Sequence, residues 1–455
     1  MEYVRNFKER IETLIENKMY IDLRNVLASA EPEDIAWALN ELEKEEYIVA
    51  YRLLPKGLAA DVFVEMEPEA QANLIATFSD AEVHNMIEGL YTDDAADILE
   101  EMPANVVRRL LENASPETRR VLNSLLKYPE NSAGSMMMTE YISLRPDMTA
   151  DEAIEHIRQY AIDSENVYTC YVIKSRRLVG VISLRELLLM DRSARISNFM
   201  ITNVISVQTG EDREHAAALF SRYGFIALPV VDAEKRLLGI ITVDDAMDVI
   251  QEETEEDFAK MAAIAPTDKP YLRTSSFRIW LSRIPWLLLL MVSATFTGMI
   301  ITGFESALAA QVVLTSFIPM LMGTGGNSGS QASVTVIRGI SLGEIEFRDI
   351  ARVIWKEIKV SVLCGLTLSV ATFVKILLVD KLLLNVPITI LVAAVVCIAL
   401  LFTVIVAKVI GCSLPMLAKK VGFDPAVMAS PFITTIVDAV SLLIYFGFAK
   451  AILGV

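Results

Sequence analysis

The stretch SPFITTIVDAVSLLIYFGFAK, residues 430–450, is apolar enough to cross a bilayer, yet it carries a carboxylate, Asp438, near its middle. A carboxylate at bilayer depth costs at least a few kcal/mol (~3), so such a residue faces a partner, a cavity or a pathway. At helical spacing Pro431, Thr434, Thr435, Asp438, Ser441 and Tyr445 share one face. Ile433, Ile436, Val437, Leu443 and Ile444 lie opposite. A polar stripe with one carboxylate suits a pore lining. The competing account pairs Asp438 with a cation from another span. Lys375 and Lys408, near the ends of theirs, are the few candidates.

A second chemical stretch, PMLMGTGGNSGSQASVTVIRG, closes an earlier apolar segment. Gly323, Gly325, Gly326 and Gly329 permit close backbone approach or helix unwinding. Asn327 and Gln331 supply side-chain oxygens one turn apart. The Gly-Lys-Ser/Thr ending of a phosphate loop is missing. Small residues at a helix crossing are the plainer account. All these candidate ligands are oxygens, which suit hard cations such as Mg²⁺ or Ca²⁺. Mg²⁺ gives up its waters reluctantly, so a pore for it would hold the hydrated ion. One aspartate per chain is thin for a divalent ion; a symmetric dimer would bring two together.

The elements that position these residues follow from the distribution of charge. The 455 residues hold 58 acids and 41 bases. Residues 271–455 hold 8 acids and 14 bases, leaving 50 and 27 in residues 1–270. An acidic polar half, net −23, therefore precedes an apolar half, net +6. The acidic half argues against nucleic acid as a partner and favours cations. The four cysteines form no CxxC pattern, and the chain has only three histidines, which argues against zinc or iron–sulfur chemistry. The opening MEYVRNFKER has no apolar core of a signal peptide.

Five stretches are long enough to span a bilayer, near 284–302, 307–323, 360–379, 387–410 and 427–449. The connections after the second and fourth are rich in Lys and Arg (Arg338, Arg348, Arg352, Lys356, Lys359; Lys408, Lys419, Lys420), whereas those after the first and third are poor. The basic connections and the N-terminal half are expected in the cytoplasm, and the C-terminus outside.

Residues 1–130 read as an all-α helical-repeat domain. From Leu54 the chain runs in units of about twelve residues, each opening with Pro, Ser, Thr or an acid before apolar residues at helical spacing. Residues 131–198 and 199–255 repeat one α/β pattern. YVIKSRRLVGVISLRELL matches PVVDAEKRLLGIITVDDAM, with Gly180 and Gly239 in the same place. Ser183-x-x-Glu186 and Thr242-x-x-Asp245 read as helix-opening capping boxes. The pattern resembles a tandem CBS pair, a regulatory module that often binds adenine nucleotides such as ATP. Residues 246–270 read as an acidic connecting helix, with Met247, Ile250, Phe258 and Met261 on its apolar face. Its clustered acids repel unless cations sit nearby.

In this order the chain resembles the MgtE family of magnesium channels and transporters. The residues that carry the match are PMLMGTGGNSGSQ (319–331) and DPAVMASPFITTIVD (424–438). The resemblance implies a multi-domain, multi-pass plasma-membrane protein (the bacterial inner membrane), with a five-helix transmembrane domain over 271–455. It implies no enzyme but a homodimeric Mg²⁺ pore with Asp438 as its ligand, to which the residues themselves add Thr434, Thr435, Asn327 and Gln331 as candidate pore oxygens. It further implies that cytosolic Mg²⁺ holds the pore shut by bridging acids. The matching acids are Asp93, Asp97, Asp212, Glu214, Asp245, Asp248, Glu253, Glu256 and Asp257. Gly224 departs from the pattern, standing where the family leads one to expect an acid.

Three other readings compete. An ion-coupled carrier of divalent cations would show paired halves, which five spans do not provide. An aspartyl protease built from two Asp438 residues would need a second carboxylate sharing a proton. A purely sensory protein reading bound nucleotide leaves the stripe around Asp438 without a role.

Overall fold

A computed structural model of the chain describes residues 2–161, 164–267, 271–272, 274–428 and 430–454. The chain divides into two compact units, Met1–Ile250 and Gln251–Val455.

The first unit opens with helices α1 to α10: Glu2–Glu16, Tyr20–Leu27, Pro32–Asn40, Lys44–Arg52, Lys56–Val64, Pro68–Thr77, Asp80–Ile87, Thr92–Glu101, Ala104–Asn113 and Pro116–Leu125. Each twelve-residue unit makes one short helix. Pro32, Pro68 and Pro116 stand in first turns, and Ser79 and Ser115 accept backbone N–H groups as caps. Helices two apart in sequence pack together: α1 on α3, α3 on α5, α5 on α7, α7 on α9, and α8 on α10. Helices this short cannot bury an apolar face alone, so they stack in a solenoid with one continuous core.

Two like α/β modules follow. The first holds β1 (Tyr141–Leu144), α11 (Ala150–Tyr160), β2 (Asn166–Lys174), β3 (Arg177–Ser183) and α12 (Leu184–Leu189). The second holds β4 (Val207–Gln208), α13 (Arg213–Tyr223), β5 (Ala227–Val231), β6 (Leu237–Thr242) and the start of α14 (Val243–Met261). Each sheet pairs its first two strands in parallel and its last two antiparallel. Gly180 pairs with Val172 and Gly239 with Val230. A methyl group on Gly180 would meet Met200 Sδ at 2.7 Å, and one on Gly239 would overlap the Met138 carbonyl oxygen. The repeated glycine therefore makes room in each module for the segment that leads into the other, Met200–Ile201 at Gly180 and Met137–Met138 at Gly239. The Ser183–Glu186 capping box is present, and at the start of α14 the Asp245 carboxylate accepts the Thr242 N–H and hydroxyl, one half of the expected box.

The second unit contains α15 (Ser276–Gly303), α16 (Glu305–Ala310), α17 (Ile318–Ser341), α18 (Ile350–Lys375), α19 (Ile390–Val421) and α20 (Ser430–Leu453). Among the described residues four segments are long and apolar enough to cross a membrane: Ser276–Gly303, Phe347–Leu383, Ile390–Val421 and Pro425–Leu453. The expected span at 307–323 is not one helix. It is split between α16, a 3₁₀ stretch at Val312–Phe317, and the start of α17. Pro319 in the first turn of α17 begins that helix rather than lying inside it. The glycine-rich stretch is accordingly the body of α17 and is not unwound.

The connecting helix α14 ends at Met261, short of the expected 266–270, and residues 268–270 lie outside the described residues. Its expected apolar face is not a buried one. Met247, Ile250 and Phe258 are exposed, while Ala246 and Val249 are buried.

Candidate functional site

Helix α19 is the hub of the second unit, packing on α17, α18 and α20. Small residues set how closely these helices approach. A methyl group on Gly325 would lie 2.7 Å from Ser441 Oγ and 2.8 Å from Thr403 Cγ2. One on Gly329 would lie 2.9 Å from Ile433 Cγ2. The close approach expected of these glycines thus seats α20 against α17.

That seating splits the expected polar stripe of α20. Ser441 and Tyr445 are fully buried and line nothing open. Ser441 Oγ donates to the Val437 carbonyl at 2.6 Å, and Tyr445 Oη donates to the Leu314 carbonyl at 3.0 Å. Ile433 and Val437, expected on the opposite face, are buried too. Thr434, Thr435 and Asp438 remain half-buried. Both threonine hydroxyls donate to the Pro431 carbonyl, at 2.9 and 3.0 Å, leaving their oxygen lone pairs as acceptors.

Asp438 lies over the backbone of α17: a methyl group on Gly326 would sit 3.7 Å from its Oδ1. Asn327 and Gln331, on the next face of α17, are exposed. Large apolar side chains are exposed along α15 and the middle of α18, among them Leu287, Met291, Leu363, Leu366 and Val370. A strip of glycine and carboxamides is therefore set apart from the faces suited to lipid.

Neither lysine available on sequence grounds pairs with Asp438. Lys375 Nζ lies 2.8 Å from both carboxylate oxygens of buried Asp380, which closes the π-helical turn Ile376–Leu383. Lys408, on α19, is buried with its Nζ 3.6 Å from Glu357 Oε2 on α18. Among the described residues no basic group forms an ion pair with Asp438.

The acids of the first unit gather at α8 and the start of α14. Asp93 is buried and held well above the usual carboxylate range by that burial and by Asp245 and Asp94. Asp94 is pushed up to about 7 by burial and by Asp245. Asp97, whose side chain reaches the surface, is pushed up to about 7 by partial desolvation and by Glu100 and Asp245. Glu165 is pushed up to about 8 by desolvation and by Asp244 and Asp245. Burial raises Asp245, although its carboxylate also accepts the Thr242 hydroxyl, and burial and Asp244 raise Asp248. The structure thus brings together Asp93, Asp97, Asp245 and Asp248, and adds Asp94, Glu165 and Asp244, which the sequence reading missed. The doubled Asp93-Asp94 and Asp244-Asp245 were the available signal.

Asp212 caps α13, accepting the Glu214 N–H at 2.8 Å. Gly224 ends α13 in the left-handed region, φ 67°, which explains a glycine where an acid was expected. Glu253 lies further along α14. Glu256 and Asp257 belong to the second unit. Glu256 Oε1 takes Lys260 Nζ at 2.6 Å, and Asp257 accepts the Ser341 hydroxyl at 3.4 Å. Among the described residues no three or more His, Cys, Asp or Glu side chains are disposed to hold a metal ion directly.

Comparison with known proteins agrees with this architecture. The MgtE family, described as a divalent cation transporter, matches residues 318–448. The MgtE intracellular N domain matches 30–131, and CBS domains match 133–191 and 196–252. A magnesium transporter MgtE of Thermus thermophilus is 38% identical over 436 residues, covering 95% of each chain. Its counterpart in Bacillus subtilis is 34% identical over 448 residues, covering 97% of this chain and 96% of that one. Among solved structures, the cytosolic domain of the Mg²⁺ channel MgtE in complex with ATP superposes with a TM-score of 0.51 at 37% identity. It covers 53% of this chain and 99% of that one.

Proposed function

Because the chain belongs to the MgtE family of magnesium transporters, we propose that it carries Mg²⁺ through a channel that cytosolic Mg²⁺ closes. It is a multi-pass membrane protein and a transporter, not an enzyme. The observation that carries the channel reading is Asp438: a half-buried carboxylate in a membrane helix, over the Gly326 backbone, with both nearby-span lysines committed to other acids. Such a carboxylate is stabilised by passing cations rather than by a fixed one. The threonine oxygens of its own helix (Thr434, Thr435) and the exposed carboxamides of α17 (Asn327, Gln331) suit the water shell of Mg²⁺.

In this proposal α17 is a fifth span. Its 24 residues reach about 36 Å, enough for the ~30 Å core of a bilayer, despite its polar centre. The polar face of α17 then meets its copy in a homodimer, bringing two Asp438 side chains to one axis. The basic ends of α17, α18 and α19 favour a cytoplasmic N-terminal half and an outside C-terminus.

Gating follows from the acids. With Mg²⁺ scarce, the carboxylates of α8 and α14 repel. With Mg²⁺ plentiful, hydrated ions neutralise them and the closed state prevails by linkage. The elevated proton affinity of Asp94, Asp97 and Glu165 supports such repulsion. Binding of ATP by the CBS pair is proposed from the relative solved with it.

The deciding experiment is Mg²⁺ uptake into proteoliposomes. Wild-type protein should show flux that Asp438→Asn abolishes while remaining folded and dimeric. Unchanged flux in Asp438→Asn would remove the aspartate from the pathway and with it this reading.

A further inference from the structure

The last turn of α14 carries a contact that the clustering of acids alone does not explain. Lys260 Nζ lies 2.6 Å from Glu256 Oε1 and 2.7 Å from Asp424 Oδ2. The first contact is an ordinary i,i+4 pair along one helix. The second crosses 164 positions of sequence to the segment that leads into α20. Asp424 uses its other oxygen, Oδ1, to accept the Ala426 N–H at 2.8 Å, fixing the 3₁₀ turn Pro425–Met428. That turn is held to α17 by Ser333 Oγ, which donates to the Met428 carbonyl at 3.2 Å. Around the ion pair, Met261 packs on Ile337 of α17 and on Ala426.

Asp257, beside Glu256 on α14, accepts the hydroxyl of Ser341 at the end of α17 at 3.4 Å. Two carboxylates, Glu256 and Asp424, therefore converge on Lys260, with Asp257 next to the first in sequence.

We infer that Lys260 is a positioning residue for gating: its ammonium is a tethered cation that holds the end of α14 to the entry of α20 whatever the Mg²⁺ concentration. A free divalent ion must be bound from solution, so its effect rises and falls with concentration. A covalently attached one is always present. Lys260 thus supplies the Mg²⁺-independent part of the contact between α14 and the helix that bears Asp438. The inference rests on the gated-channel reading for its consequence, but not for the contact itself.

The test uses the full-length protein in nanodiscs, with hydrogen exchange of the α14 amides beyond residue 251 read with Mg²⁺ chelated and with Mg²⁺ saturating. In Lys260→Gln, exchange with Mg²⁺ chelated should rise roughly tenfold, the effect of losing about one charge-assisted hydrogen bond. Saturating Mg²⁺ should restore protection, because Glu256 and Asp424, left uncompensated, then attract the ion. Lys260→Arg should behave as wild type. Asp424→Asn should lose protection as Lys260→Gln does, and the double variant should lose no more. A merely local helix effect would spare Asp424→Asn.

Wild-type protection in Lys260→Gln with Mg²⁺ chelated, or additive losses in the double variant, would overturn the inference. Mg²⁺ flux through the same samples separates the two claims. Loss of protection in protein whose wild type conducts no Mg²⁺ sinks the channel reading and leaves the tether standing.

Discussion

Gly411 of α19 lies against the backbone of Gly329 of α17, so closely that a methyl group on Gly411 would overlap the Gly329 carbonyl oxygen. Backbone cannot step aside as a flexible side chain does, so this contact sets the separation of the two helices. Gly411→Ala should destabilise the second unit by about 1–3 kcal/mol through overpacking. The check is thermal unfolding in detergent micelles; an unshifted transition would mean the helices are not in this register.

The acids around Asp93 make stability fall with rising pH. Their carboxyls titrate near 7 for Asp94 and Asp97 and near 8 for Glu165, all far above unfolded values of about 4. Below about pH 4 both states are protonated and the contribution is fully present. Between there and about pH 8 the folded state binds more protons, so stability is lost as pH rises through the folded values. With divalent cations chelated, the full-length protein should unfold at lower temperature at pH 8 than at pH 6. Asp94→Asn and Glu165→Gln should flatten that slope, and added Mg²⁺ should offset it at the higher pH. A transition that climbs over the same range would contradict the crowding of these groups.

Asp380 is buried with Lys375 as its bidentate partner. Lys375→Met leaves that carboxylate without a cation and should cost about 1–3 kcal/mol. Because the lysine itself is half-exposed, the loss should fall below that of a fully buried pair. Asp380→Asn combined with Lys375→Met should recover most of it, as chemical denaturation would reveal; no recovery would assign the cost to lost packing instead.

Gly224 closes α13 with φ 67°. Gly224→Ala should cost about 1–2 kcal/mol, the usual penalty for a side chain in the left-handed region. Gly224→Asp, which restores the acid that the family pattern leads one to expect, should cost less, since Asp tolerates that region better. Equal stability of all three proteins in urea unfolding would show that the position is not held left-handed.

The sequence by itself determined the order of the parts. Twelve-residue phasing in the N-terminal domain, the Gly180 and Gly239 repeat, and the long apolar runs are local patterns of period and composition, and these survive into the structure. Asp438 stood out because a charge in an apolar run is conspicuous in one dimension. What the tertiary structure decided was which neighbours each group meets. A helical stripe names the residues on a face but not what that face touches, so Ser441 and Tyr445 fell inside while Asp438 stayed half-open. The partners of Lys375, Lys408 and Lys260 follow from helix ends brought together over widely different separations, and the joining of Asp94 and Glu165 to Asp245 likewise. The reach of the Coulomb and close-packing forces that select such partners is a few ångströms in space and has no counterpart in distance along the chain.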